Sequence, residues 1–291
     1  MGDQSDQPDQ PDRAAPRRTL CLSAGGMPGL DIHCGMLLAL ADAGLTSWNL
    51  ISGTSAGAIV GALLAAGLSP TQLEAILRDL KDSDVRNERF LWWLRITGIR
   101  YWMLNNRIKK ILTGLLPTHF SDLQTPFECH TTFDQTGRGV VLRNDSQTAL
   151  VPAVLASSAI CGVFPPVPLS SGIPGFYSDG GTTNYIASPL MLPEPPDELW
   201  VLIATPAYNY RAEDESILSR LMLNVHILLE DQIRDSLNIL RAKLGDRLHV
   251  IRTCCGADAG TLHFDHSLID QARRETWAIL KADGKTEKRT G

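Results

Sequence analysis

Three short stretches of the 291-residue chain carry residue types that could act together chemically. Gly53-Thr54-Ser55-Ala56-Gly57 fits the pattern GxSxG, in which glycines flank a serine because so tight a strand-to-helix turn leaves no room for side chains. A serine placed there sits at a helix N-terminus, where backbone N–H groups and the helix dipole favour developing negative charge, so Ser55 is a candidate nucleophile. The second stretch is Ala24-Gly25-Gly26-Met27-Pro28-Gly29, whose consecutive small residues let backbone N–H groups converge on one point, as an oxyanion hole requires. A phosphate-binding loop and a plain tight turn are the competing readings. Against the first, no Gly-Lys-Ser/Thr follows, and Ala24 stands where a GxGxxG would begin with glycine. The third stretch, Asp179-Gly180-Gly181, can project a carboxylate from a glycine turn without crowding, although Asp-Gly-Gly by itself is more often a simple turn.

A serine hydrolase usually takes its base from histidine. Of the seven histidines, His263 or His266 could complete the chain order Ser, Asp, His. In the α/β-hydrolase fold, however, the serine elbow follows several strands, whereas Ser55 comes after only the second. That counts against a triad.

The elements around these stretches alternate. Thr19 to Ser23 reads as a buried strand, and Gly35 to Ala43 as a helix stopping at Gly44. Trp48 to Ser52 is a second strand, leading into the elbow, and the small apolar residues from Ala56 to Ala66 suit a buried helix. Ser69-Pro70-Thr71-Gln72 predicts a helix start, with Leu73, Ile76, Leu77 and Leu80 on its buried face. A helical stripe at Ile108, Ile111, Leu112 and Leu115 ends before Pro117. Phe127 to Phe133 and Gly139 to Leu142 predict strands joined by a turn. Leu150 to Ser157 predicts a helix, followed by a Pro-rich loop from Phe164 to Pro168. Beyond it come a strand at Leu199 to Thr205, an amphipathic helix marked by Leu218, Leu221, Val225, Leu228 and Leu229, and a strand at Leu248 to Arg252. Strands alternating with helices mean an α/β domain with a mainly parallel sheet. No internal repeat or interdomain linker is evident.

The bulk numbers fit such a domain: 44% hydrophobic and 20% charged residues are ample for a core. A net charge of −5 speaks against a nucleic-acid binder, which would carry a basic face. The six cysteines show no CxxC spacing, so a reduced, cytoplasmic setting is expected, and metal binding by cysteine is not. The first 18 residues, rich in Asp, Gln and Pro, have no apolar core; they read as a disordered tail rather than a signal peptide. No stretch reaches the length of a membrane span.

In order and spacing, these motifs resemble the patatin-like phospholipase family. Leu22 to Gly29 resembles its glycine-rich oxyanion loop, Gly35 to Leu40 the helix after it, and Gly53 to Gly57 its elbow. Ala156 to Val167 is similar to the run before the family's aspartate, and Asp179-Gly180-Gly181 with Asn184 completes the set. The resemblance spans roughly residues 19 to 186 and weakens beyond. It implies a three-layer α/β/α fold with a central, mainly parallel sheet, and a Ser55–Asp179 dyad without histidine. The substrate would be a phospholipid or other fatty-acyl ester, cleaved through an acyl-enzyme with no metal or cofactor. The N–H groups of Gly25, Gly26 and Met27 would hold the oxyanion, with Gly29, Gly53, Gly57, Gly180 and Gly181 supporting the motifs. An ordinary aspartate is a weak base near pH 7, so the site should desolvate Asp179 to raise its pKa. The chain departs from the family in having neither Arg nor Lys near Pro28 or Gly29, while Pro28 removes one donor. A catalytically silent, lipid-binding or regulatory relative is therefore the alternative.

The expected organisation is a tail over 1–18, one acyl hydrolase domain over 19–283 and a polar tail over 284–291. Next to Arg89, the stretch 90–116 interleaves Phe90, Trp92, Trp93, Tyr101 and Trp102 with Arg95, Arg100 and Arg107. It reads either as core or as a peripheral membrane contact, with Trp and Tyr at the interface and Arg on head groups.

Overall fold

The computed structural model describes residues 16–85, 106–170, 172–186, 195–205, 217–253, 255 and 263–285. The aromatic cluster Phe90 to Trp102 and most of both tails lie outside them. Among the described residues, eight strands form one sheet: β1 (Arg18–Leu22), β2 (Leu50–Thr54), β3 (Phe127–Phe133), β4 (Arg138–Leu142), β5 (Val167–Leu169), β6 (Gly175–Asp179), β7 (Glu198–Ala204) and β8 (Leu248–Thr253). Their order is β5-β6-β3-β2-β1-β7-β8, with β4 also paired to β3. The pairs among β3, β2, β1, β7 and β8 are parallel; those joining β3 to β4, β3 to β6 and β5 to β6 are antiparallel. This is a mixed, mainly parallel α/β sheet.

Helices cover both faces. Alternation along the strands sends Leu20, Leu22, Trp200, Leu202 and Ala204 into one core and Cys21, Leu199, Val201 and Ile203 into another. The first core takes α1 (Gly26–Asp42), α2 (Ala56–Ala65), α3 (Pro70–Asp79), α6 (Leu150–Ser157) and α8 (Ser267–Ala282). Among the described residues, two helices lie between α3 and α6, a single turn α4 (Asp82–Val85) and α5 (Asn106–Leu115). On the other face lies α7 (Ile217–Leu244), which buries Ile233, Leu237, Leu240 and Leu244. Leu228, counted with the apolar stripe of this helix, instead points to solvent at 67% exposure. Among the described residues, no helix is long and apolar enough to cross a membrane.

Local rules account for several elements. Ser69 caps α3 through a reciprocal capping box: Gln72 N–H donates to Ser69 Oγ at 3.3 Å, and Ser69 N–H to Gln72 Oε1 at 2.8 Å. Further outcomes differ from the sequence expectation. α1 begins at Gly26, not near Gly35, so Met27, Pro28 and Gly29 belong to its first turn rather than to a loop. α8 was not anticipated; it packs so closely on α1 that a Cβ at Gly35 would lie 2.2 Å from the Ile269 carbonyl oxygen.

The register of β3 joins the two halves of the sheet. Thr131, Thr132 and Phe133 pair with both β4 and β6, which must therefore use opposite edges. Cys129 and His130 pair with both β4 and β2, so β2 and β6 share one edge of β3. β2 leaves that edge at Thr54, opposite His130, and β6 ends on it at Asp179, opposite Thr131. The residue after β2 and the last residue of β6 thus meet.

Candidate active site

Ser55 occupies the turn between β2 and α2 with φ 55° and ψ −120°, a backbone conformation that side-chain-bearing residues rarely adopt. Close approach explains the flanking glycines. A Cβ on Gly53 would lie 2.5 Å from the Gly57 carbonyl oxygen, and one on Gly57 would lie 2.3 Å from that of Leu22. The turn is thereby pressed against the carboxyl end of β1.

Asp179 arrives along the shared edge of β3. Ser55 Oγ donates to Asp179 Oδ2 at 2.6 Å, and the Gly181 N–H donates to Oδ1 at 2.7 Å. The main chain of Asp179 is held as well, its N–H on the Ala159 carbonyl at 2.9 Å and its carbonyl on Thr132 Oγ1 at 2.9 Å. Only 5% of the residue is exposed. Burial pushes the Asp179 carboxyl up from 3.8 to about 6, against the opposing hydrogen bonds from Ser55 and Gly181.

The glycine-rich stretch supplies the N-terminus of α1. Its path is set by β7 and the turn after β6: Ser23 N–H donates to Leu202 O at 3.0 Å and Ala24 N–H to Tyr185 O at 2.9 Å. A Cβ on Gly25 would come within 2.5 Å of the Ala204 carbonyl oxygen, and Gly26 takes φ +61°, which glycine adopts without strain. The Gly29 N–H closes the first helical bond, on Gly25 O at 2.9 Å. The N–H groups of Gly25, Gly26 and Met27 precede it and find no partner among the described residues. Pro28 falls in the first turn, where its missing N–H would have been an orphan in any case. His33, also on α1, contacts the Ser23 carbonyl through Nε2 at 2.8 Å, and burial lowers its pKa to about 4, so it is neutral and donates that bond.

Gly26, Met27 and Ser55 line one cleft, whose remaining wall is mostly apolar: Leu30, Ala56, Ile59, Ile108, Ser158, Ile160 and Phe164. The two histidines weighed as triad members are engaged elsewhere. His263 Nδ1 lies 2.7 Å from Asp82 Oδ2, and His266 Nδ1 lies 3.1 Å from Asp31 Oδ1, with its Nε2 3.0 Å from Leu80 O. Among the described residues, no histidine bonds to Ser55 or Asp179.

A buried polar network, not anticipated from the sequence, underlies the pair. Ser52 Oγ donates to Glu128 Oε1 at 2.8 Å and lies 3.1 Å from His130 Nε2. His130 Nδ1 meets Asn184 Nδ2 at 2.9 Å, and Thr54 Oγ1 donates to the Asn184 carbonyl at 3.1 Å. Burial alone would raise the Glu128 carboxyl, but the His130 ring 3.8 Å away and the hydrogen bond from Ser52 outweigh it and hold the group below its ordinary value. The available signal was Glu128 and His130, two ionisable residues two apart in a strand buried almost throughout.

The profile of the patatin-like phospholipase family matches residues 20–191, more than half of the chain. The chain belongs to the patatin-like phospholipase family. No curated protein sequence matches this patatin-like chain. Its fold is similar to that of VipD from Legionella pneumophila, with 13% identity, TM-score 0.50 and coverage of 92% of this chain and 67% of that one. The type III effector protein ExoU also aligns, at 16% identity and TM-score 0.47, over 94% of this chain and 54% of that chain. In the ExoU–SpcU complex of Pseudomonas aeruginosa, the match is 17% identity and TM-score 0.42, over 93% and 52%. The chain thus spans about two thirds of VipD and about half of ExoU.

Proposed function

We propose that this family member hydrolyses a fatty-acyl ester of a lipid, with Ser55 as nucleophile and Asp179 as its general base. The observation carrying the reading is the 2.6 Å bond from Ser55 Oγ to the buried Asp179 carboxylate. Asp179 takes the hydroxyl proton as Ser55 Oγ forms a bond to the ester carbonyl carbon. The negative charge that moves onto the carbonyl oxygen is met by the N–H groups of Gly25, Gly26 and Met27, aided by the α1 dipole. Collapse of the tetrahedral species breaks the ester C–O bond, and the proton on Asp179 passes to the departing alkoxide. Water, deprotonated by Asp179, then attacks the acyl-enzyme, and the acid leaves as Ser55 recovers its proton. The apolar wall formed by Met27, Leu30, Ile59, Ile108, Ile160 and Phe164 suits an acyl chain. Phospholipid is the substrate class that the family implies.

The reading is tested by intact-mass detection of a fluorophosphonate adduct, with detergent or liposomes present. One adduct on the wild type, lost in Ser55→Ala and much reduced in Asp179→Asn, is the expected result. A folded wild type that forms no adduct would leave the silent, lipid-binding reading in its place.

A further inference from the structure

We propose that Ser157 is a positioning residue that fixes the backbone of Ser55 and, with the two residues after it, the spacing between Ser55 and Asp179. This rests on the dyad reading above.

Ser157 is the last residue of α6 and is wholly buried. Its hydroxyl donates to the His130 carbonyl at 2.6 Å and accepts the Ser55 N–H at 3.1 Å. The single hydroxyl proton is therefore committed to β3, which turns an oxygen lone pair toward Ser55. That N–H is a group the regular structure leaves over. Ser55 follows the last residue of β2 and precedes the first of α2, with φ 55°, so neither the ladder nor the helix gives its N–H a partner. Two residues beyond Ser157, the Ala159 carbonyl accepts the Asp179 N–H at 2.9 Å. Residues 157–159 thus hold the main chain of both members of the pair, while Ser158 faces the same cleft.

A buried serine that merely satisfies its own hydrogen bonds would affect stability alone. A positioning role makes a different prediction. The Ser55 hydroxyl bond favours the charged form of Asp179 against burial, so a Ser55 free to drift weakens that bond and raises the carboxyl pKa. The acid limb of kcat/KM then moves to higher pH.

The experiment compares wild type, Ser157→Ala and Ser157→Thr on a soluble p-nitrophenyl fatty-acyl ester, with fluorophosphonate labelling and a thermal melt of each. Ser157→Ala is expected to lose about 10- to 100-fold in kcat, with KM within about twofold and the acid limb displaced upward. Ser157→Thr, which keeps the hydroxyl, is expected to recover most of the loss. If Ser157→Ala does not fold, Ser157→Cys carries the test, with the same direction and a smaller loss. A folded variant without the hydroxyl that keeps wild-type kcat and acid limb, whatever its melting temperature, overturns the proposal. A wild type that takes no label overturns the dyad reading, and this inference with it.

Discussion

Replacing Asp179 by asparagine should stabilise the folded protein while abolishing its activity. The carboxyl is raised from 3.8 to about 6 by burial, which means that the folded state disfavours the ionised form. At about 1.4 kcal/mol per pH unit, that difference is worth about 3 kcal/mol. The sign follows from proton binding. Well below pH 3.8 the group is protonated in both states and folding is unaffected. As pH rises from there to about 6, the unfolded chain ionises first and the folded protein loses stability relative to it. Above about 6 the whole cost is present.

Asparagine is close in shape and keeps both contacts. Its Oδ1 can accept the Gly181 N–H, and its Nδ2 can donate to Ser55 Oγ, which loses only its role as donor. The amide's second proton has no acceptor there among the described residues, so the expected gain is at most about 3 kcal/mol at pH 8, roughly half of that at pH 5 and none near pH 3.5. In a thermal melt, the gain at pH 8 corresponds to at most roughly 6 °C, at about 2 °C per kcal/mol for a domain of this size. Denaturant unfolding of both proteins at pH 8 and pH 5 measures the difference directly. A variant that is no more stable at pH 8, or whose advantage does not shrink at pH 5, would refute the claim that Asp179 is ionised at a cost.

Three further outcomes follow from the surroundings of the pair. In the double variant His263→Ala/His266→Ala, acyl-ester hydrolysis should persist, since the imidazoles contact Asp82 and Asp31 rather than Ser55 or Asp179; His266→Ala alone should lower stability by about 1–3 kcal/mol on chemical denaturation, because it removes the side-chain partner of the buried Asp31. Gly57→Ala sets a methyl group 2.3 Å from the Leu22 carbonyl oxygen, and the forced shift of the elbow should cut fluorophosphonate labelling by about 100-fold, a reading undone by labelling at the wild-type rate.

The elbow was legible because its constraint is local: Gly53 and Gly57 are glycine on account of atoms their own turn brings close. The capping box of α3 was legible for the same reason, all its groups lying within four residues. The pairing of Ser55 with Asp179 is not local. It depends on one edge of β3 being taken first by β2 and then by β6, a register that no periodicity records, and only the order of the motifs pointed to it. The start of α1 was misplaced because Gly25, Gly26, Pro28 and Gly29 favour a turn; contacts with Ala204 and Tyr185, far along the chain, impose the helix. The network of Ser52, Glu128, His130 and Asn184 draws on two strands and the turn after β6, so it emerges only once they are aligned.

Two unfavourable features and a set of open donors meet at the carboxyl ends of β1 and β2. Ser55 is held in a strained backbone conformation, worth about 1–3 kcal/mol. Asp179 is buried at a cost of about 3 kcal/mol when ionised. Three N–H groups at the head of α1 have no partner among the described residues. The first two alone amount to about 4–6 kcal/mol, a large share of the 5–15 kcal/mol by which a domain is ordinarily stable. As packing elements these groups are poor choices, since a relaxed turn or an asparagine would serve the fold better. Their arrangement makes sense as chemistry: an exposed, weakly basic aspartate could not take a serine proton near neutral pH, and satisfied N–H groups could not receive an oxyanion. A silent, lipid-binding chain would gain stability by giving up either of the first two. The concentration of cost at a single cleft therefore favours an active hydrolase, independently of the missing basic residue near Pro28.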